Sequence, residues 1–594
     1  MKGLALAAAL AASTYQVDLT HYFPNPTAEQ TDRAAVLRQT DAFVHTQTAS
    51  LDSPQALLSW LTTLDRLSKA LHRHDIYVYL RAERDSGDHA DAAADTALGN
   101  ALDRLDDAAA RDLASIAPAK LASWFAASKA LVPYRNFIAA ERARAVHTSR
   151  NADAIALLAV PTLDSLAEAY KALRPATPAS GDTESAAAKA FAATWAPYAK
   201  SESAFAALLI PIVHLQDGKA QLAGFSGAPE AAYFANGLTT TEVENTLAAL
   251  RGSDAYRRYE TVIANAAARR LKLPPSQLHP WDLTFADSYR PQPVPFAEAL
   301  SRVIAAEQPM GREYADQFAR LLDPANHRVE WCDTRTCDAA GFSLGFAGSV
   351  SSLFYGAYKG TTDNVRAVAH EAGHAVHRQF MNENQPLAVY NEGPHLLFES
   401  FAIFNGFLLE DHLVRTAVTP EARAYYLHRF LEDAVFNVYG SAKETALESA
   451  IYAGVRHSTL HNAAGLDALT LKIIAENTPA IMLAPEMKNY WAYNRLYFTD
   501  PLYDVNYLFA GLLALEYLKQ FEEDPHGFAQ RYVAFLKNGL TDTPRVLEKR
   551  FLAIDLDDAP RLATDAASLI DKRTTMLAAL YKVCDTPVAC SLRR

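Results

Sequence analysis

Apolar residues recur at intervals of three and four along most of the first half of the chain. The stretches from Leu57 to Leu67 and from Leu98 to Leu105 show the pattern clearly. This spacing places the apolar side chains on one face of an α-helix. We therefore predict helices from about residue 19 to 273, with a loop at the Pro/Ser/Gly/Thr-rich segment 174–183.

A proline-rich stretch from Pro274 to Pro295 separates this helical region from the rest of the chain. Proline lacks the backbone N–H that a helix needs, so a segment with this many prolines favours a boundary. We predict an N-terminal helical region of residues 14–290 and a second region of residues 291–594, which begins again with helical spacing.

The residues from Gly341 to Tyr358 depart from helical spacing. Phe342, Leu344 and Phe346 alternate with other residues at a period of two, which is typical of a β-strand. We predict a mainly α fold with a small β-sheet just before the next helix. The sheet has two interpretations: it holds an extended peptide along an open strand edge, or it only packs.

Composition and charge exclude some classes of partner. The chain of 594 residues is 50% hydrophobic and 10% aromatic, which is typical of a globular protein, and its net charge is −12. An acidic chain without a Lys/Arg run repels polyanions, so we expect no nucleic-acid partner. No apolar stretch reaches the roughly 18 residues that a membrane span needs.

The N-terminus has the pattern of an export signal. Lys2 precedes a short apolar run from Gly3 to Ala12, and small residues follow. We interpret residues 1–13 as a signal peptide. The alternative is an apolar start to the first helix.

The four cysteines form two close pairs, Cys332/Cys337 and Cys584/Cys590. Local disulfides are the simplest pairing, although reduced thiols and a metal site are alternatives. Because disulfides persist in oxidising compartments, we predict a periplasmic or secreted protein.

The strongest chemical motif is His370-Glu371-x-x-His374, which follows the helix-capping residues Thr361 to Asp363. Two histidines four apart share one helix face, where both imidazoles can bind one zinc ion. Glu371 lies about 100° further round the helix and can reach a water on that ion. His377 extends the histidine face, and we predict that it supports or packs rather than binding the metal.

A catalytic zinc needs a third protein ligand. Glu392 lies in a turn-like segment, and Glu399 lies in the apolar helical run from Leu396 to Phe404. A carboxylate in that run would be buried, which is costly unless a cation accompanies it. Spacing alone leaves both glutamates as candidates.

The segment from His370 to His377 resembles the His-Glu-Phe-Gly-His-x-x-His helix of the thimet oligopeptidase and oligoendopeptidase F family of zinc metallopeptidases. In that family the third ligand is a Glu 25 residues after the second His, and Glu399 stands at that distance from His374. The resemblance covers roughly residues 130 to 580 and is strongest from 341 to 511. It implies two helical lobes flanking a deep channel with zinc at its floor.

A second segment, which contains Tyr503 and Tyr507, resembles the family's Tyr-rich stretch. There, hydroxyl groups and a His contact the substrate and the developing oxyanion, whereas Tyr497 occupies the His position here. A phenol donates a hydrogen bond but carries no positive charge near neutral pH. Core packing is the alternative role for these tyrosines. Ala372 and Gly406 also depart from the family pattern.

The resemblance implies a zinc-dependent peptidase that cleaves short or unstructured peptides. His370, His374 and Glu399 would bind one Zn²⁺, Glu371 would act as general base and acid, and Tyr503 or Tyr507 would stabilise the oxyanion. Residues 291–594 would form the catalytic region. Two alternatives are a helical peptide-binding protein that holds zinc without turnover, and a zinc hydrolase of non-peptide amides.

Overall fold

The structure is a computed structural model that describes residues 15–45, 51–85, 89–147, 150–176, 178, 183–332, 341–478 and 483–583. The predicted signal peptide, residues 1–13, lies outside the described residues.

Helices make up most of the described chain before the proline-rich stretch. Several begin at a residue whose side chain accepts the N–H three positions on, namely Asn25, Ser53, Thr183 and Thr239. The segment 174–183, predicted as a loop, falls between the helix that ends at Leu173 and the helix that begins at Glu184. The helices are α1 (Pro26–Val44), α2 (Pro54–Arg84), α3 (His89–Ser115), α4 (Pro118–Ala127), α5 (Arg135–Arg144), α6 (Arg150–Leu173), α7 (Glu184–Leu222), α8 (Ala228–Ala235), α9 (Thr240–Arg251) and α10 (Ala255–Leu271).

Helices also dominate after the proline-rich stretch, and a small sheet interrupts them. The helices are α11 (Phe296–Glu307), α12 (Arg312–Leu322), α13 (Thr362–Asn384), α14 (His395–Thr416), α15 (Pro420–Val435), α16 (Ser441–Arg456), α17 (Ala463–Asn477), α18 (Tyr490–Tyr493), α19 (Leu496–Thr499), α20 (Asp504–Glu523), α21 (Pro525–Asn538), α22 (Pro544–Leu552) and α23 (Ala559–Tyr581).

The sheet has three described strands, β1 (Val329–Cys332), β2 (Gly341–Leu344) and β3 (Ser352–Gly356). The central strand β3 is buried along its whole length, runs parallel to β1 and pairs antiparallel with β2. Strands β2 and β3 confirm the sheet predicted within 341–358. The sequence pattern does not anticipate β1, because its four residues, Val-Glu-Trp-Cys, are too short to show a period.

The largest hydrophobic core brings α13 and α14 together. It includes Val365 and Val376 from α13 and Phe401 and Phe404 from α14. The two helices approach closely at Gly373, where a Cβ atom would lie 2.6 Å from the side-chain nitrogen of Asn405 and 3.1 Å from Cα of Ala402. A glycine here therefore allows two helices of the core to meet nearly backbone to backbone.

The predicted fold class is confirmed as mainly α with a small sheet beside α13. The division into regions 14–290 and 291–594 stays a prediction. Every helix among the described residues is either too short or too polar to span a membrane.

Candidate metal centre and active site

Helix α13 presents its two histidines as the sequence predicts. Thr361 caps the helix by accepting the backbone N–H of Asn364 through its side chain. His370 and His374 follow on one face, and their ring centroids are 4.8 Å apart with the rings perpendicular. Both side chains are partly exposed, so the pair remains open to a ligand.

Helix α14 brings Glu399 to this pair. The Oε2 atom of Glu399 lies 3.4 Å from Nε2 of His370 and 3.7 Å from Nε2 of His374. One donor atom from each residue lies within 4.8 Å of the others. Two imidazole nitrogens and one carboxylate oxygen are the donor set of a catalytic zinc site that keeps an open position.

The environment of Glu399 fits a bound cation. The residue is 6% exposed, and its Oε2 atom has no hydrogen-bond partner among the described residues. Burial alone would raise the pKa of Glu399, but the neighbouring His370 and His374 hold it well below its usual value. A buried carboxylate oxygen without a hydrogen bond is costly, and a metal ion would satisfy it.

Glu392, the other candidate from the sequence, lies outside this cluster. Its side chain is about half exposed, and Nη1 of Arg378 lies 3.0 Å from its carboxylate. The structure therefore brings Glu399, and not Glu392, to the two histidines.

Glu371 lies beside the cluster and next to the sheet. A Cβ atom on Gly341 of β2 would lie 3.4 Å from the Cγ atom of Glu371, so the strand lies against this side chain. Removal from water raises the pKa of Glu371 to about 7; the charge of His370 opposes the rise, and that of Glu399 adds to it. A carboxyl group with a pKa near neutrality can both take up and release a proton.

The two predicted tyrosines lie near the same carboxylates. The hydroxyl of Tyr503 donates a hydrogen bond of 2.7 Å to Oε1 of Glu399. The rings of Tyr503 and Tyr507 are 5.2 Å apart. The charge of Glu399, burial and the charge of Glu371 raise the pKa of Tyr507 well above 10, so its phenol keeps its proton at neutral pH.

Two other residues considered from the sequence lie in packed surroundings. Tyr497 is 1% exposed, and its hydroxyl donates to the backbone oxygen of Glu444 at 2.9 Å. His377 is buried, with its ring centroid 5.1 Å from that of Phe398 and 4.2 Å from that of Phe401. These contacts agree with the packing role predicted for His377, and they place the Tyr497 hydroxyl in the core.

The structure adds His395, which the sequence analysis does not single out. This exposed residue begins α14, one helical turn before Glu399, and its ring centroid is 5.4 Å from that of Tyr503. The four-residue spacing from Glu399 is the signal in the sequence that places it on the same helix face.

Comparisons with known proteins agree with this arrangement. The family model for peptidase family M3 matches residues 182–564. The oligoendopeptidase F homolog of Borreliella burgdorferi is 20% identical over 254 residues, which are 42% of this chain and 42% of the relative. The oligopeptidase PepF of Bacillus subtilis is 24% identical over 252 residues, or 41% of this chain and 35% of the relative. The matched stretches thus span less than half of each relative.

A solved structure shows the same fold over nearly the whole chain. The crystal structure of oligoendopeptidase F from Enterococcus faecium has a TM-score of 0.65 and 17% sequence identity, and the similarity covers 93% of this chain and 98% of that one. With the family match, this confirms the resemblance inferred from the sequence.

The predicted periplasmic or secreted location is wrong. Cys332 is the only cysteine among the residues that the structure describes, and its predicted partner Cys337 and the predicted pair Cys584/Cys590 lie outside them. The finding that overturns the prediction is the set of relatives, which are an oligoendopeptidase F homolog and an oligopeptidase. A short apolar start and closely spaced cysteines are weak signals of export, because short apolar runs and reduced cysteines also occur in proteins that are not exported.

Proposed function

The chain belongs to peptidase family M3, and from this premise we propose that it is a zinc-dependent oligopeptidase that hydrolyses peptide bonds in short or unstructured peptides. The observation that carries the proposal is the Oε2 atom of Glu399, buried without a hydrogen bond and facing the Nε2 atoms of His370 and His374. These three residues would hold the zinc ion. When bound, Zn²⁺ acts as a Lewis acid that polarises a carbonyl oxygen and makes water easier to deprotonate.

Glu371 provides the proton transfers. Its carboxylate takes a proton from the attacking water and later delivers it to the amine that leaves when the C–N bond breaks. Desolvation supports this role, because it raises the pKa of Glu371 to about 7 and so makes both steps accessible near neutral pH.

The two tyrosines have different tasks in this proposal. Tyr503 fixes the orientation of Glu399, since its hydroxyl already donates to Oε1 and leaves Oε2 toward the histidines. Tyr507 is close to both Glu399 and Glu371, its side chain is only partly buried, and no hydrogen bond of its hydroxyl is found among the described residues. It is therefore free to donate to the substrate oxygen as negative charge develops, a contact whose loss typically costs about 10²–10³ in kcat.

The strand β2 supports a peptide as the substrate. Its outer edge pairs with no other described strand, and Gly341 on this strand lies against Glu371. An extended substrate that hydrogen-bonds to this edge would place a peptide carbonyl beside the base. Simple packing of the sheet stays the alternative.

The test is digestion of a quenched-fluorescent peptide library, with and without a chelator, combined with metal analysis. Wild-type protein should cleave peptides, lose activity with chelator and regain it with Zn²⁺. Glu371→Gln should keep its zinc and lose cleavage. Glu383→Gln is the matched control, because Glu383 is exposed on the same helix and should tolerate the same substitution.

Other outcomes would refute the proposal. Full activity of Glu371→Gln would contradict the role of this glutamate. Zinc binding without chelator-sensitive cleavage would indicate a peptide-binding protein that holds zinc without turnover, and cleavage restricted to non-peptide amides would identify a different hydrolase.

A further inference from the structure

The turn that leads into α20 has an unusual residue at its third position. It comprises Asp500, Pro501, Leu502 and Tyr503, and the N–H of Tyr503 donates to the backbone oxygen of Asp500 at 3.2 Å. Proline in second place and a positive φ in third place are the signature of a type II turn, which prefers glycine in third place. Here that residue is Leu502, with a φ of 65°. A side chain in the left-handed region is strained, so another contact must stabilise this turn.

That contact comes from Glu448 on helix α16. Its Oε1 atom accepts the backbone N–H of Leu502 at 2.8 Å. Glu448 is 2% exposed and Leu502 is 8% exposed, so the hydrogen bond lies in the interior. A buried hydrogen bond is strong because no water competes for it.

The strained turn lies one residue from the candidate site. Tyr503 follows Leu502 directly and is the N-cap residue of α20, and its hydroxyl donates to Oε1 of Glu399 at 2.7 Å. The backbone conformation at Leu502 sets the direction in which the chain enters Tyr503. A continuous path of contacts therefore runs from Glu448 through the turn to the proposed zinc ligand.

We propose that Glu448 is a positioning residue, which holds Leu502 in its left-handed conformation and thereby keeps the Tyr503 hydroxyl on Glu399. The proposal rests on the proposed function, because it concerns the support of a zinc ligand. Partners of this kind set ligand orientation, and removing them typically lowers metal affinity or activity by about 10- to 100-fold.

The protonation state of Glu448 suggests how to test its positioning role. Burial raises the pKa of Glu448 to about 8; the N–H of Leu502 opposes the rise, and the charge of Glu444 adds to it. The group is therefore largely neutral at pH 7. Glutamine has the same shape, is neutral and offers the same acceptor oxygen, whereas leucine removes the acceptor.

The experiment compares Glu448→Gln and Glu448→Leu for kcat, KM and zinc affinity measured by competition with a chelator. Glu448→Leu should lower kcat and zinc affinity by about 10- to 100-fold with little change in KM. Glu448→Gln should retain most of the kcat and most of the zinc affinity of the wild type. In a Tyr503→Phe background, Glu448→Leu should cause no further loss, because both changes act through one hydroxyl.

Three results would overturn this role. In the first, Glu448→Gln lowers kcat and zinc affinity as much as Glu448→Leu does. In the second, Glu448→Leu lowers them further in the Tyr503→Phe background. In the third, Glu448→Leu has the kcat and zinc affinity of the wild type. Glu448→Met, which has a similar length and no oxygen, replaces the leucine variant if that variant does not fold. An inactive wild type that binds no zinc would instead refute the proposed function. An active, zinc-loaded wild type together with an unaffected Glu448→Leu variant would refute only the positioning role of Glu448.

Discussion

The close approach of α13 and α14 at Gly373 offers a sharp test of the site geometry. Gly373 lies next to His374, and a Cβ atom there would be 2.6 Å from Nδ2 of Asn405 and 3.1 Å from Cα of Ala402. Since non-bonded carbon contacts are favourable at about 3.5–4.0 Å, relieving the 3.1 Å backbone contact in Gly373→Ala requires the helices to separate by roughly 0.4–0.9 Å. That displacement separates the two histidines from Glu399.

The magnitude follows from two opposed effects. Overpacking a core costs about 1–3 kcal/mol, while alanine in place of a mid-helix glycine contributes about 1 kcal/mol. We therefore expect Gly373→Ala to fold, with a net loss of stability of about 0–2 kcal/mol. Activity should fall much more, by about 100-fold, because a misplacement of about 1 Å in a catalytic constellation has that effect.

Gly406→Ala on α14 is the matched control. A Cβ atom there would meet only Cγ of Arg366 at 3.6 Å, which is ordinary contact. This variant should keep full activity and gain up to about 1 kcal/mol from helix propensity. The assays are thermal unfolding and peptide hydrolysis. Two results would refute the role of the helix contact at Gly373. One is wild-type activity of Gly373→Ala, and the other is a loss of activity in Gly406→Ala as large as that in Gly373→Ala.

Three further predictions concern buried polar groups. Burial raises the pKa of Glu307 well above the 4.5 of the unfolded chain, so the cost of burying its charge is absent below pH 4.5 and grows as the pH rises. Glu307→Gln should therefore be more stable than the wild type by up to about 1.4 kcal/mol for each pH unit above 4.5. Thermal unfolding that shows no pH-dependent difference between the two proteins would contradict this. Arg366→Met removes the cation that lies 3.0 Å from the carboxylate of buried Asp433. Urea unfolding should show a free energy of unfolding lower by about 3 kcal/mol, and an unchanged value would show that the ion pair contributes little. Tyr497→Phe removes the buried hydrogen bond to the backbone oxygen of Glu444 and should lower stability by about 0.5–1.5 kcal/mol with kcat unchanged; a loss of kcat would return Tyr497 to the site.

The sequence predicts the local parts of this fold well. The cap at Thr361 and the four-residue spacing of His370 and His374 determine the helix and its face, because both depend on neighbours along the chain. The period-two pattern finds β2 and β3. Strand β1 is missed because its partner β3 lies more than 20 residues further on and its own pattern is too short.

The parts that depend on contacts distant in sequence are harder to predict. Glu392 and Glu399 are equally suitable by residue type, and only packing of α14 against α13 brings one of them to the histidines. The support of Tyr503 depends on a hydrogen bond between Glu448 and Leu502, which are 54 positions apart, and no local pattern marks it. Family resemblance points to the same glutamate that the structure brings to the two histidines, whereas the cysteine spacing suggested a location that is wrong.

The proposed function depends on His370, His374 and Glu399 holding one zinc ion. The most direct measurement is the zinc content of Glu399→Ala and Glu392→Ala after dialysis against a weak chelator, because these are the two glutamates that the sequence leaves open. We predict that Glu392→Ala retains one zinc ion per chain, as the wild type does, and that Glu399→Ala retains none. Zinc retained by Glu399→Ala and lost from Glu392→Ala would contradict the account.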